Sequence, residues 1–144
     1  MKQYDPKQVV ISIAGLLIAS GFAEDSMVKV AFTTPRFETK VGVDGEVTRA
    51  RMYDRRATVT VSLMQSSQGN DVLSTLLNRD TRGANGAGVG AFLLKDLNGT
   101  TLLAGAAAWV KGMPESEFGK SVGTRSWEIE VAELEGVVGG EYGT

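Results

Sequence analysis

Short runs in which apolar residues occupy every second position recur along most of this sequence, separated by Gly, Asp, Asn or Pro. The clearest run is Ala57 to Met64, where Val59, Val61 and Leu63 alternate with threonine and serine. Because successive side chains of a strand point to opposite faces, this pattern predicts a strand with one buried face. The pattern constrains the chain to a mainly β fold.

The same reasoning predicts further strands, the first two of which form an N-terminal hairpin with a turn at Gly15. The apolar residues from Val9 to Ala23 also resemble the apolar core of a secretory signal peptide. Asp5-Pro6 before this run and Gly15 within it favour the hairpin instead. The additional predicted strands are Val9 to Ala14, Leu16 to Ser20, Val28 to Phe32, Val89 to Lys95, Thr100 to Gly112 and Gly123 to Glu133.

After Met64 the apolar residues follow the period of a helix instead. They are Val72, Leu73, Leu76 and Leu77. Ser67 or Asn70 is suited to cap the start of this helix, which extends to Asn78 and is the one α-helix predicted. So short a helix is marginal in water, so its leucine face must pack over an open end or a side of the sheet.

The segment from Arg36 to Arg56 carries ten charges, six cationic and four anionic, with the turn-forming pair Asp44-Gly45 at its centre. Unpaired ions are costly to bury, so the segment is predicted to be a long, charged β-hairpin that projects from the body. Its candidate contact residues are Arg36, Lys40, Asp44, Glu46, Arg49, Arg51, Arg55 and Arg56.

Three interpretations of this hairpin remain open. It is a solvated surface loop, a docking arm for an identical copy, or a nucleic-acid contact made by its arginines. Nucleic acid is the weaker option because four acids are interleaved and the segment has few aromatic residues on which bases could stack, Tyr53 among them.

The run from Leu102 to Val110 has no polar face, so both of its faces are expected to be covered. Two arrangements satisfy this expectation: a central strand under the helix, or burial at a subunit interface. The small residues of the run permit the close approach of another backbone, and its tryptophan is a suitable anchor. The candidate interface residues are Ala104, Gly105, Ala106 and Trp109.

The chain contains no Cys and no His, which excludes disulfides, thiolate nucleophiles, Ser-His pairs and zinc sites built from those residues. Glu128 and Glu130 lie two apart on one strand face and do not span a substrate cleft as a glycosidase pair must. We therefore expect no catalytic residues, no metal site and no cofactor. A net charge of −2 also argues against a DNA-coating protein.

Several strings, in this order, resemble the tail-tube proteins of contractile-tailed bacteriophages, which are related to the type VI secretion tube protein. Together they span Tyr4 to about Val131. They are Tyr4-Asp5-Pro6-Lys7-Gln8-Val9, Gly21-Phe22-Ala23, Val41-Gly42-Val43-Asp44-Gly45-Glu46, Leu63-Met64-Gln65-Ser66-Ser67, Asn70-Asp71-Val72-Leu73, Lys95-Asp96-Leu97-Asn98-Gly99-Thr100-Thr101-Leu102, Trp109-Val110, Glu117-Phe118-Gly119-Lys120 and Gly123-Thr124-Arg125-Ser126-Trp127.

This resemblance implies a two-sheet β-barrel or sandwich with one flanking α-helix and a long projecting hairpin. It also implies six copies in a ring, rings stacked into a hollow tube inside a contractile sheath, and a hairpin that reaches the next ring. Residues 1–144 would be a single tail-tube domain, with 36–56 as the hairpin and 136–144 as a loose C-terminal tail. Glu128 and Glu130 would face either the lumen, where carboxylates repel DNA, or ordinary solvent.

The implied partners are copies of the same chain, the tail sheath protein, the tape-measure protein, and baseplate and terminator proteins. DNA would be present only in transit, and no membrane is involved. The implied location is the virion tail tube, after synthesis in the host bacterial cytoplasm. Two alternatives stay open: a tail terminator or baseplate tube initiator, and, from another class, a small carbohydrate-binding or hydrolytic β-domain.

Overall fold

The computed structural model describes residues 1–142. After a short 3-10 turn at Pro6–Gln8, these residues form ten strands and one α-helix. In chain order the elements are β1 Val9–Ile13, β2 Leu16–Ile18, β3 Val28–Phe32, β4 Phe37–Val41, β5 Val47–Arg51, β6 Ala57–Met64, α1 Gly69–Arg82, β7 Gly90–Asp96, β8 Leu102–Val110, β9 Thr124–Val131 and β10 Glu135–Val137. The prediction of a mainly β fold with one helix is confirmed.

The N-terminal hairpin prediction is also confirmed, since β1 and β2 pair antiparallel. Ala14 and Gly15 both have positive φ, at 52° and 79°, as a two-residue hairpin turn of the favoured hand requires. Helix α1 continues four residues past the predicted Asn78. Its last turn carries no apolar residue, so hydrophobic spacing gave no signal there.

Eight strands form one antiparallel sheet in the order β2-β1-β7-β8-β9-β6-β3, while β10 also pairs with β8. Strands β4 and β5 form a separate two-stranded sheet. Strand β8 has β7 along one edge and two strands along the other, β10 at Leu102–Ala104 and β9 at Ala108–Val110. Between these halves the register with β7 shifts, so Ala106 and Ala107 both oppose Ala91. Such a bulge bends a sheet.

The sheet comes close to closing on itself. The Met64 N–H donates to the Gly21 carbonyl at 2.7 Å, and the Ala23 N–H donates to the Ser62 carbonyl at 2.9 Å. Residues 21–23, which follow β2 at one end of the strand order, are thereby joined to β6 near the other end. The inner faces of the strands bury one cluster that includes Ile11, Phe92, Trp127 and Ile129.

Helix α1 covers this core, with Leu73 and Leu76 buried and contacts to β2 and β8. The Trp127 Nε1–H donates to the Asn70 Oδ1 at 2.9 Å, which ties the helix to β9. The helix begins after Gln68, so neither predicted residue is the N-cap, and the Gln68 side chain makes no cap bond. Ser67, one residue earlier, accepts at its Oγ from the Gly69 N–H at 3.1 Å. The predicted packing of the leucine face is confirmed.

The predicted loose tail at 136–144 is wrong for the residues that the structure describes. Gly136 and Val137 belong to β10, and the Thr100 N–H donates to the Gly140 carbonyl at 3.0 Å. Gly136 has a φ of 146°, and a Cβ there would lie 1.9 Å from the Leu102 carbonyl oxygen. Glycine at position 136 therefore allows β10 to pair closely with β8. Residues 143–144 of the predicted tail lie outside the described part.

Gly105 lies on the inner side of β8, which corrects its prediction as a subunit-interface residue. A Cβ there would lie 2.4 Å from the Val131 Cγ1 and 2.9 Å from the Glu133 carbonyl oxygen. The missing side chain therefore admits Val131 and the backbone of the same chain. The small residue at this position is a requirement of the closed sheet.

We predict that Gly105→Ala lowers the free energy of unfolding of the isolated chain by about 1–3 kcal/mol, because the added methyl overpacks the core. Gly112→Ala is the matched control, since nothing lies within 4 Å of a Cβ there. Its free energy of unfolding should change by less than ~0.5 kcal/mol. Urea unfolding of both variants measures the difference. Equal midpoints for Gly105→Ala and the unmodified chain would contradict this account.

Candidate assembly surfaces

The β4–β5 hairpin is the most exposed element of the chain, and all ten of its strand residues are open to solvent. Its turn is closed by the Gly42 N–H, which donates to the Glu46 carbonyl at 2.8 Å. Gly45 has a φ of 90°, and the Asp44 Oδ1 accepts from the Glu46 N–H at 3.2 Å. The predicted turn at Asp44-Gly45 is therefore present. This hairpin is the first candidate surface.

The two faces of the hairpin differ in chemistry. Phe37 pairs with Arg51 and Thr39 with Arg49, so both arginines lie on one face. The Arg49 guanidinium carbon lies 4.1 Å from the centre of the Phe37 ring, a cation–π arrangement that holds the arginine in place. The opposite face carries Glu38 and Lys40, which pair with Ala50 and Thr48. The arm therefore has one cationic face and one face of mixed sign.

The tip of the hairpin is apolar, a feature that the charge pattern of this segment did not predict. Val41 and Val47 are 65% and 62% exposed, and Val43 in the turn is fully exposed. The charges at the tip are those of Asp44 and Glu46. Exposed valines at the end of a long arm are typical of a contact surface that is not yet covered.

The base of the hairpin is held by Asp54. Its carboxylate accepts from the Thr34 hydroxyl at 2.7 Å and from the Arg56 side chain at two distances of 2.9 Å. The Arg56 backbone N–H donates to the same carboxylate at 3.1 Å. The Arg56 guanidinium and then the Thr34 hydroxyl hold the pKa of Asp54 well below its usual range. The same pairing raises the pKa of Arg56.

Arg55 and Arg56 are therefore partnered within the chain, which narrows the predicted contact set of the arm. Arg55 pairs with Glu135 on β10, and Arg56 pairs with Asp54. Arg36 lies over the Phe32 ring at 5.6 Å, also at the base. The charges left free along the arm itself are those of Lys40, Asp44, Glu46, Arg49 and Arg51, together with Glu38.

The outer face of β6 and β9 is polar, as their alternation predicts. Thr60 pairs with Glu128 and Thr58 with Glu130. Glu128 is exposed and Glu130 is half-buried, with the Lys111 Nζ lying 3.9 Å from a Glu128 oxygen. Trp109 is half-buried opposite Glu130 on the neighbouring β8. This polar face contains both predicted glutamates, Glu128 and Glu130. Lys111 partly offsets their negative charge.

The outer face of the other half of the sheet is apolar. Leu17, Leu93, Leu102 and Val137 are 56%, 36%, 43% and 60% exposed. In the cross-strand register Leu102 is paired with Val137 on one side and with Lys95 on the other, and Ser12 lies between Leu17 and Leu93. We define the apolar outer face as Leu17, Leu93, Leu102, Ala104, Ala106 and Val137.

Each of the two arrangements left open for Leu102 to Val110 accounts for part of the run. Strand β8 is central and contacts α1, but Ala104 and Ala106 are exposed in the single chain. Cover within the fold therefore does not extend to the outer side of the strand, and burial of that side at a subunit interface stays a prediction. Trp127, by contrast, lies in the core.

Within residues 1–142, no three carboxylates are grouped so that they could hold a metal ion. In that same part of the chain, no helix combines the length and apolar character needed to cross a membrane.

We predict that Asp54→Asn makes the hairpin move more freely about its base, because the amide loses the charge-assisted bonds to Arg56. The amides of Thr39 and Thr48 should then show lower nitrogen-15 order parameters. Asp44→Asn at the tip is the control and should leave them unchanged.

The bonds that the Asp54 carboxylate makes with Arg56 and Thr34 at the base of the hairpin should weaken in acid. The pKa of Asp54 is lowered in the folded chain, so its contribution is complete above the ordinary aspartate value of about 3.9. It is lost as the pH falls below that value towards the lowered pKa. If the order parameters of Thr39 and Thr48 stay the same in Asp54→Asn, the bonds of Asp54 do not restrict the motion of the hairpin.

Comparison with known proteins agrees with an assembly role. A structural protein, ORF10, of Pseudomonas phage KPP10 is 35% identical over 133 residues, which cover 89% of this chain and 77% of that protein. Among solved structures, the sheath/tube terminator of the PVC extracellular contractile injection system aligns with a TM-score of 0.59 and 8% identity. It covers 96% of this chain and 99% of that one.

The tube-terminating cap of the anti-feeding prophage also shares the fold, with a TM-score of 0.56 and 8% identity over 92% of this chain and 91% of that one. The family model described as bacteriophage PhiTE tail tube protein matches residues 10–139. That family is one of phage structural proteins rather than enzymes, as the sequence predicted. The chain belongs to the PhiTE tail tube protein family of bacteriophages.

Proposed function

We propose that this chain is the tube subunit of a contractile phage tail, in which six copies close into a ring and rings stack into a hollow conduit for DNA. The observation that carries the proposal is the exposed β4–β5 hairpin, whose two faces and tip are left uncovered by residues 1–142. An arm of this kind on a member of a tail-tube family is best explained as a contact between copies.

The hairpin would dock on the neighbouring ring. A contact between two different surfaces of identical subunits is heterologous, and such contacts generate rings or open filaments. Arg49 and Arg51 on one face would meet carboxylates of the next copy, which fixes register more than it adds affinity.

The polar face of β6 and β9 is our candidate for the lumen wall. Its threonines and serines are well hydrated, and Glu128 and Glu130 would repel passing phosphate. Lys111 beside Glu128 reduces that repulsion without reversing it. The apolar outer face is unsuited to a wet channel.

The remaining partners follow from this assignment. The outside of the tube would contact the tail sheath protein, the lumen would hold the tape-measure protein, and the two ends would contact baseplate and terminator proteins. The chain would reside in the virion tail after synthesis in the host cytoplasm.

A second candidate is a tube terminator or baseplate initiator. The observation that favours it is the shared fold with two tube-terminating proteins. A terminator would form rings that stop stacking on one side, whereas a tube subunit stacks on both.

Electron microscopy of the purified chain in negative stain separates these candidates. Sixfold rings at low concentration and long tubes at high concentration support the tube subunit. Single rings at every concentration would support the terminator, and a monomer throughout would contradict both.

We predict that Arg49→Glu with Arg51→Glu leaves single rings intact and weakens ring-on-ring stacking, because both residues lie on the free cationic face of the arm. The tube-to-ring ratio should fall about fivefold per lost pair, the upper range for exposed ion pairs. Unmodified tubes should also shorten as salt rises.

The control for this variant carries the same change of charge, in Lys2→Glu with Lys120→Glu, two exposed sites outside the hairpin. Sedimentation velocity measures rings and tubes in both. Equal stacking by the arm variant and the unmodified chain would mean that the hairpin is a solvated loop.

We also predict that Glu128→Lys with Glu130→Lys leaves tubes intact but slows DNA ejection in a salt-dependent way, because lysines attract phosphate. The control, Glu24→Lys with Glu141→Lys, places the same charges on exposed residues outside the polar face. Particles of the first variant that eject DNA at the unmodified rate would place Glu128 and Glu130 away from the lumen.

A further inference from the structure

The apolar outer face is unusual for an exposed sheet surface because its residues lie on four strands, β2, β7, β8 and β10, with Ser12 of β1 between Leu17 and Leu93. In one row, Leu17, Ser12, Leu93 and Ala104 follow each other across β2, β1, β7 and β8. Exposed apolar patches of this kind mark sites of contact with other molecules. The question is what covers it.

Two charged residues, Glu135 and Lys95, pair in the register with residues of this face. Glu135 at its border is paired with Arg55. Lys95 lies between Val10 and Leu102 in the cross-strand register, and within residues 1–142 no carboxylate pairs with it. An apolar partner that carries a negative charge would therefore complement this face.

The hairpin tip has this chemistry. Val41, Val43 and Val47 supply exposed apolar surface, and Asp44 and Glu46 supply the negative charge. Strands pack about 4.8 Å apart, so a two-stranded tip is roughly 5 Å wide, while the row from β2 to β8 is roughly 14 Å wide. The tip fits within the face.

We propose that the apolar outer face of one copy is the receptor for the valine tip of another copy's hairpin, with Lys95 facing Asp44 and Glu46. This inference rests on the proposed function and names the receptor for the arm. Because the tip and the face are different surfaces, the contact is heterologous and repeats from copy to copy without closing on a pair.

Disulfide trapping tests the contact directly, because the chain has no cysteine of its own. Val43→Cys subunits are mixed with Leu93→Cys subunits, assembled and oxidised. We expect a cross-linked dimer from this mixture. The control mixture pairs Val43→Cys with Ser126→Cys, an exposed residue on the polar face, and should give at least about tenfold less dimer, since cross-linking requires Cα atoms within about 7 Å.

Each other outcome has a distinct meaning. Tubes that cross-link only through Leu93→Cys with itself would show that the face covers itself and would overturn the proposal. Tubes without a Val43–Leu93 cross-link would also overturn it and would leave the face to another protein, such as a sheath. If the unmodified chain forms no assembly, the proposed function itself fails.

A charge exchange gives a second test that needs no cysteine. Lys95→Glu and Glu46→Lys should each reduce the tube-to-ring ratio about fivefold, and the two changes together should restore it. Lys29→Glu with Glu46→Lys is the control, because Lys29 is exposed on β3, away from the face. The proposal would be overturned if Lys29→Glu restored the tube-to-ring ratio of the Glu46→Lys variant, or if Lys95→Glu failed to restore it.

Discussion

Strand β8 is hydrogen bonded along both edges. This arrangement decides which surfaces the rest of the chain leaves exposed. One edge pairs with β7, and the other is shared by β10 and β9. The bulge at Ala106 and Ala107 lets one strand serve both halves of the sheet. Because the sheet bends there, the inner faces of both halves meet in one core.

The closed body leaves three surfaces without an internal partner. The two outer faces of the sheet differ in character, one polar around Glu128 and one apolar around Leu93. The β4–β5 hairpin lies outside both, because its alternating charges cannot enter the core at acceptable cost. It is anchored through Asp54, Thr34 and Arg56 at its base. The core is therefore formed within a single copy, while residues 1–142 leave these three surfaces uncovered. This is what the proposed self-assembly would need.

Local patterns allowed most of the fold to be predicted from the sequence. Alternation in Ala57 to Met64 and the turn at Asp44-Gly45 are each decided by neighbouring residues, and both are confirmed. Features decided by distant residues were missed. Gly105 faces Val131, and β10 pairs with β8, although nothing near either segment in the sequence indicates this. The family resemblance, carried by the order of short strings, anticipated the match to residues 10–139.

The assembly surfaces were only partly predictable for the same reason. The spacing of Arg49 and Arg51 placed both on one face of the arm. The pairing of Arg55 with Glu135 joins residues 80 positions apart and has no local signal. The apolar outer face did have a local signal, because Leu102 to Val110 carries apolar residues on both faces. That signal could not decide between cover by the fold and cover by another subunit, since the answer depends on which distant strands lie beside β8.

Hydrogen exchange of dispersed and assembled protein tests the central claim, that the body is complete in one copy and the arm finds its partner only in another. The amides of β6 and β9 should exchange slowly in both states, because the core is already formed. Amides of the hairpin, residues 36–52, should exchange rapidly in the dispersed chain and slowly in the tube. Hairpin exchange that is equally fast in both states, or already slow in the dispersed chain, would contradict the account.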